Sequence, residues 1–207
     1  MAEKSERHAA FDKIYADAYW GAEHLSGSGS TIEATRLVRQ VIKKTIKDFH
    51  ISTIIDVACG DMAWMPLVLE DIKAQGIKID YLGCDIVSSL IKSHTEKFPH
   101  LRFQHLDFVA DKIPKAELII CREALQHLPV KDIKAALKNF SDGGAKYLLT
   151  TTHLRRYGIR NHMNMKPGRC RDRNLLLPPF NLPNPIFVFP EEMGNKDKFI
   201  GLWGLPF

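Results

Sequence analysis

The chain has 207 residues, of which 45% are apolar and 26% charged, the make-up of one ordinary globular domain large enough to enclose an α/β core. No apolar stretch approaches the length of about 20 residues that a membrane helix needs, and Met1-Ala-Glu-Lys-Ser-Glu-Arg-His8 has no signal-peptide core, so a soluble, cytoplasmic protein with no membrane partner is expected. The formal charge of +5 is a modest basic excess, and Cys59, Cys84, Cys121 and Cys170 form no C-x-x-C pair, which points to reduced thiols rather than a zinc site or a disulfide framework.

In chain order, an arm carrying Tyr15, Tyr19, Trp20 and Gly21 leads through Ser26-Gly-Ser-Gly-Ser30 into a capping-box pattern, Ser30-Thr-Ile-Glu33. Leu37, Val38, Val41, Ile42, Ile46 and Phe49 then recur at helical spacing and predict a helix over 31–49. The β-branched run 53–57 reads as a buried parallel strand that ends in a turn, and a helix over 62–74 follows. The rhythm repeats with strand 80–86, helix 88–97, strand 102–108, strand 117–121, a helix with Pro129 in its first turn and Gly143-Gly144 at its end, and strand 146–152. Past Thr152 the chain becomes basic and then proline- and asparagine-rich at Leu177-Pro-Pro-Phe-Asn-Leu-Pro-Asn-Pro185, which no regular helix tolerates. Two late strands, 186–189 and 199–205, complete the chain. Alternation of strand and helix produces right-handed crossovers, so the expected fold is doubly wound α/β: a mostly parallel seven-stranded sheet with helices on both faces. The single domain divides into an arm and helix (1–50), a core (51–152) and a substrate-side segment (153–207).

In such a sheet, ligands bind beyond the carboxyl ends of the strands, and an aspartate stands near the end of each of the first three. The turn Asp56-Val-Ala-Cys-Gly-Asp61 has one glycine to let a ligand approach the backbone. Asp85 follows it at about the 20-residue spacing of an acid that grips ribose hydroxyls, and its two oxygens can accept from both. The turn lacks the G-x-G-x-x-G triplet that cradles a pyrophosphate, which argues against NAD. Upstream, Trp20, Ser28 and Gly29 belong to a segment whose backbone N–H groups and hydroxyls can meet a carboxylate; a flexible surface arm is the competing reading.

The succession of Asp56-Val-Ala-Cys-Gly-Asp61, Gly83-Cys-Asp-Ile86, His105-Leu-Asp-Phe108 and Leu118-Ile-Ile-Cys-Arg-Glu-Ala-Leu-Gln-His-Leu128 resembles the class I S-adenosylmethionine-dependent methyltransferases over about 51–152. The family's first turn usually reads D-x-G-x-G; here Ala58 stands at its first glycine and Asp61 follows Gly60. The resemblance implies S-adenosylmethionine as cofactor, with Ala58, Cys59 and Gly60 around its methionine part, Asp85 at the ribose, Asp107 receiving the adenine amino group, Phe108 beside the ring, and Asp56 and Ile86 among the residues that bind it. It places Arg122 facing the cleft; a structural ion pair of Arg122 with Glu123 or Asp61 is the alternative, and for Asp107 the alternative is a turn cap.

Methyl transfer asks for in-line alignment, a desolvated cleft and, for a hydroxyl acceptor, a base. His153, after the fifth parallel strand, and His127, after the fourth, are the candidates, each with helix packing or capping as its alternative. No metal-ligand cluster is visible in the sequence. The Arg, Asn, His and aromatic content of 153–190 suits a small polar, hydroxylated or anionic acceptor such as a sugar unit, which makes an O-methyltransferase the first reading. RNA or protein methylation is the second, should the basic stretch from Arg155 to Arg173 form a binding stripe rather than a solvated loop. A catalytically inactive cofactor-binding scaffold is the third.

Overall fold

A computed structural model describes residues 5–154, 158–191, 194 and 197–207. Arg155, Arg156 and Tyr157 of the expected basic stretch lie outside the described residues. Seven strands, β1 (Thr53–Val57), β2 (Asp80–Asp85), β3 (Arg102–His105), β4 (Leu118–Cys121), β5 (Tyr147–His153), β6 (Phe187–Pro190) and β7 (Lys198–Gly204), form one sheet in the order β3-β2-β1-β4-β5-β7-β6. The first five run parallel, and β7 enters antiparallel between β5 and β6. The expected mostly parallel, seven-stranded α/β sheet is what the chain forms.

Alternation along the strands supplies two cores. Ile54, Leu118, Ile120 and Leu149 face one side, where α2 (Arg36–Asp48), α3 (Met65–Ala74) and α4 (Ser88–Lys97) pack. Ile55, Val57, Ile119, Cys121 and Leu148 face the other, covered by α5 (Val130–Asp142) and by Leu175 and Leu182 of the proline-rich stretch. That stretch has no regular structure of its own and is pinned by Asn161, whose side chain donates to Asn174 O (2.7 Å) and Pro178 O (3.1 Å) and accepts from Asn174 N–H (3.0 Å). Arg173 is nearly inaccessible (1%) and donates to the carbonyls of Asn161 (2.8 Å) and Met163 (3.1 Å). Burial lowers its pKa. Arg173 is therefore an internal brace, whereas Lys166 and Arg169 of the same stretch are exposed.

Two elements depart from expectation. The first is α1 (Glu6–Ala16), which the sequence reading leaves inside the arm. The second is the start of the helix expected over 31–49: residues 31–35 make turns and α2 begins at Arg36. Hydroxyls compete with the helix there, because Thr31 Oγ1 accepts from Ala34 N–H (3.1 Å) and Thr35 Oγ1 donates back to Thr31 O (2.9 Å). Ser30, expected as the cap, donates instead to Ser26 O (3.4 Å).

Candidate active site

The strand order reverses between β1 and β4, and a cleft holding about 930 Å³ of space, its open mouth included, lies beyond the carboxyl ends of the strands there. Trp20, Asp56, Ala58, Cys59, Gly60, Asp85, Ile86, Asp107, Phe108, Arg122 and His127 all line it. Ser28, Gly29 and His153 do not; Ser26 and Ser30 take the place expected of Ser28 and Gly29.

The glycine turn is fixed from three sides. Gly60 has a left-handed backbone (φ 59°), donates its N–H to Asp85 Oδ2 (3.1 Å) and accepts at its carbonyl from His94 Nε2 (2.7 Å). Only neutral or protonated imidazole with hydrogen on Nε2 makes that bond, and burial lowers the pKa of His94, so the neutral ring is the form in place. The third side is Ser26. Its Oγ accepts from Asp61 N–H (2.8 Å) while its own N–H donates to Asp61 Oδ2 (3.0 Å), and Tyr15 OH shares a hydrogen bond with the same Oγ (2.9 Å). The sequence singled out neither His94 nor Ser26. The Ser-Gly repeat marks the segment, but only the fold selects which serine reaches the turn.

Asp85 is buried, with Oδ1 accepting from Val87 N–H (3.0 Å) and Oδ2 from Gly60 N–H. Burial raises its pKa to about 6 against those backbone bonds. Asp56, beneath the turn, accepts from Tyr81 OH (2.8 Å), and burial raises it to about 7. Burial also pushes the Cys59 thiol well up, which keeps it protonated and inert. At the third strand, Asp107 caps its own turn through Val109 N–H (3.0 Å) and receives Arg7 Nη2 (2.7 Å), whose other amino nitrogen reaches Asp132 at the start of α5 (3.0 Å). Arg7 thus straps α1 across the cleft, where Phe11 and Tyr15 of the same helix also line it.

Arg122 pairs with neither of the two acids expected from sequence. Its Nε lies 2.6 Å from Glu191 Oε1, its Nη2 donates to Gly29 O (2.8 Å), and its guanidinium sits 5.5 Å from the Trp64 ring centre. It is both a cleft residue and an ion-pair partner. The two histidines part company. His153 is buried in the wall between β5 and the brace, its Nδ1 accepting from Arg173 N–H (3.2 Å) and its Nε2 3.5 Å from Asp172. A position at a strand end does not fix which way a ring faces. His127 lines the cleft against Trp20 (ring centres 4.8 Å apart), and Nδ1 donates to Arg169 O (3.1 Å). A carbonyl can only accept, so in the neutral ring Nε2 carries the lone pair; burial lowers the pKa and favours that neutral ring. Among the described residues no group of His, Cys, Asp or Glu is arranged to hold a metal ion, and no helix is long and apolar enough to cross a membrane.

No family model and no curated protein sequence matches the chain. Among solved structures, it is similar to magnesium protoporphyrin IX methyltransferase from Synechocystis PCC 6803 with bound S-adenosylmethionine, at 12% identity and a TM-score of 0.67, with 100% of both chains covered. It is similar to the N-methyltransferase NodS of Bradyrhizobium japonicum WM9 in complex with S-adenosylhomocysteine at 11% identity and a TM-score of 0.65, over 98% of this chain and 100% of that one. The CurJ carbon methyltransferase matches at 13% identity and a TM-score of 0.64, over 97% of this chain and 68% of that one.

Proposed function

We propose that this chain, which has the fold of the class I S-adenosylmethionine-dependent methyltransferases, transfers a methyl group from that cofactor to a hydroxyl of a small, uncharged polar acceptor such as a sugar unit. The observation that carries the reading is the cleft at the reversal of strand order, with Asp85 rigidly presented beside a glycine turn. Backbone N–H groups of Val87 and Gly60, with Ile86 beside them, hold the Asp85 carboxylate in place, and its acceptor capacity is not exhausted, so it can accept from a ribose hydroxyl. A side chain at Gly60 would collide with Ser26 Oγ, so the glycine lets the arm close on the turn, and Asp107 and Phe108, which line the same cleft, would edge and flank an adenine. When bound, the cofactor supplies an electrophilic methyl group on a sulfonium. The chain's part is to align it, to exclude water beneath Trp20 and α1, and to take the acceptor's proton at His127 Nε2.

Charge favours a neutral acceptor over an anionic one. The cleft is lined by the carboxyl groups of Asp56, Asp61, Asp85, Asp107 and Glu123 against the guanidiniums of Arg7 and Arg122. Such a lining suits a sulfonium and repels phosphate or carboxylate, although the whole chain is basic. The same balance ranks RNA below a small molecule. Filter binding over a salt series checks this: weak, nearly salt-independent retention of RNA is expected, and tight binding that falls steeply with salt would reverse the order.

Calorimetry with S-adenosylhomocysteine tests the cofactor reading. Binding is expected, with none for NAD. Asp85→Ala should weaken it by about 2 kcal/mol or more, given about 1.5–3 kcal/mol for a hydrogen bond to a charged group. The ionised carboxylate is the better acceptor and burial places its pKa at about 6, so wild-type affinity should fall as pH drops through that value, and Asp85→Asn should flatten the dependence. An Asp85→Ala protein with wild-type affinity would remove the ribose assignment.

A further inference from the structure

Outside the cleft, three arginines gather around one methionine. A turn closes with Met163 N–H on Arg160 O (3.0 Å), and a later run of chain lies beside the 3-10 turn Leu125–His127, with Gly168 N–H on His127 O (2.9 Å) and Arg171 N–H on Gln126 O (3.0 Å). Two guanidiniums thereby meet at one atom: Arg160 Nη1 lies 3.9 Å and Arg171 Nη1 3.8 Å from Met163 Sδ. Arg173 stands behind them, its Nη1 on the carbonyls of Asn161 and Met163 in the same turn. Like charges so placed repel, and burial, together with the Arg171 charge, lowers the Arg173 pKa. Among the described residues none of the three forms an ion pair with a carboxylate, and their neighbour Asp172 lies by His153 Nε2 (3.5 Å). A thioether is a weak acceptor, and Arg171 Nε is buried with no hydrogen-bond partner among the described residues. Arg160 is exposed and Arg171 half-buried, so a solute reaches both.

We infer that Arg160 and Arg171, with Arg173 behind them, form a binding site for a phosphate group, either the free anion or the monoester of a small molecule. A guanidinium presents a flat fork of N–H donors that matches two oxygens of one phosphate. Two forks that converge on a neutral sulfur leave between them a place for an anion, and a dianion offsets both charges where a single carboxylate offsets one. The buried third guanidinium adds to the positive field without touching the ligand. None of the three arginines lines the cleft, so this site stands or falls apart from methyl transfer. A phosphate held there ties the turn of Arg160 to the run from Gly168 to Arg171, which also carries the Arg169 carbonyl that receives His127 Nδ1.

Titration of the whole nitrogen-labelled protein with inorganic phosphate at fixed ionic strength, followed by NMR, reads the site. The amides of Arg160 to Met163 and of Gly168 to Arg171 should shift with the Arg171 Nε–H along one saturating curve. Arg160→Gln and Arg171→Gln should each weaken the affinity by about tenfold or more, since each removes charge-assisted hydrogen bonds. Arg171→Lys, which keeps the charge and loses the fork, should fall between, and Lys47→Gln on the exposed face of α2 should bind as wild type does. In chloride alone the glutamine variants should melt no lower than wild type, because each relieves repulsion. Tighter binding of glycerol 3-phosphate than of inorganic phosphate marks a monoester as the ligand, and equal binding marks the free anion. Shifts that do not saturate, or glutamine variants that bind as wild type does, would overturn the site. Lower melting of both glutamine variants in chloride would make these arginines props of the fold, and RNA held tightly by wild type but not by Arg171→Gln would replace the small ligand with a polynucleotide; either result sinks the proposal.

Discussion

Gly60→Ala is expected to cut cofactor affinity by about a hundredfold or more. A Cβ at this position would lie 2.5 Å from Ser26 Oγ, closer than any real contact allows, and the backbone is left-handed besides. Ser26 is not free to swing aside, because its Oγ is bonded to Asp61 N–H and to Tyr15 OH. Left-handed strain of about 1–2 kcal/mol adds to two displaced hydrogen bonds of about 1 kcal/mol each. In the free variant the turn relaxes to escape this cost of about 3–4 kcal/mol and binding must restore it, which is up to two to three powers of ten in a dissociation constant. Calorimetry with S-adenosylhomocysteine measures it, and a melting curve without ligand separates loss of the site from loss of the fold. Full affinity in Gly60→Ala would mean that the turn and Ser26 part freely and that their contact does not shape the site.

The second large effect is on turnover. With a known acceptor, His127→Asn should lower kcat by about 10²–10⁴, the usual contribution of a general base, while leaving cofactor affinity near wild type. The sign of the pH dependence follows from the ring's state. A base works unprotonated, so activity rises with pH through the His127 pKa, which burial sets below the ordinary imidazole value. The wild type therefore shows an acidic limb below that of free imidazole, and the variant loses it. His153→Asn should keep the limb, since that ring bonds the Arg173 backbone outside the cleft. A limb that vanishes with His153 and survives without His127 would exchange their roles.

The sheet was legible in the sequence because short strand patterns alternate with helical ones and the first strands carry aspartates at or next to their ends, as Thr53–Val57 and Asp80–Asp85 do. The lining of the cleft was legible for the same reason: Asp56, Asp85 and Asp107 lie at or just past strand ends, which puts them at the cleft without any knowledge of side-chain direction. What escaped depends on distant partners. α1 buries no residue completely and has no strong apolar stripe; what fixes it is Arg7 reaching Asp107 and Asp132, about half the chain away. In Ser26-Gly-Ser-Gly-Ser30 every serine looks alike until Asp61 selects one. His153 closes β5 and His127 lies beyond β4, and only the path of the later segment, with Arg173 beside one and Arg169 beside the other, buries one ring in the wall and leaves the other on the cleft.

The strap made by Arg7 and the knot at Ser26 close the cleft at opposite ends of α1 and the arm, one by charge and the other by hydrogen bonds. The ion pairs of Arg7 are largely shielded from solvent, with side-chain exposures of 16% for Arg7, 15% for Asp107 and 8% for Asp132, so added salt screens them far less than it screens surface pairs. α1 is therefore expected to keep its place over the cleft across ionic strength, held near its start by Arg7 and near its end by Tyr15 on Ser26.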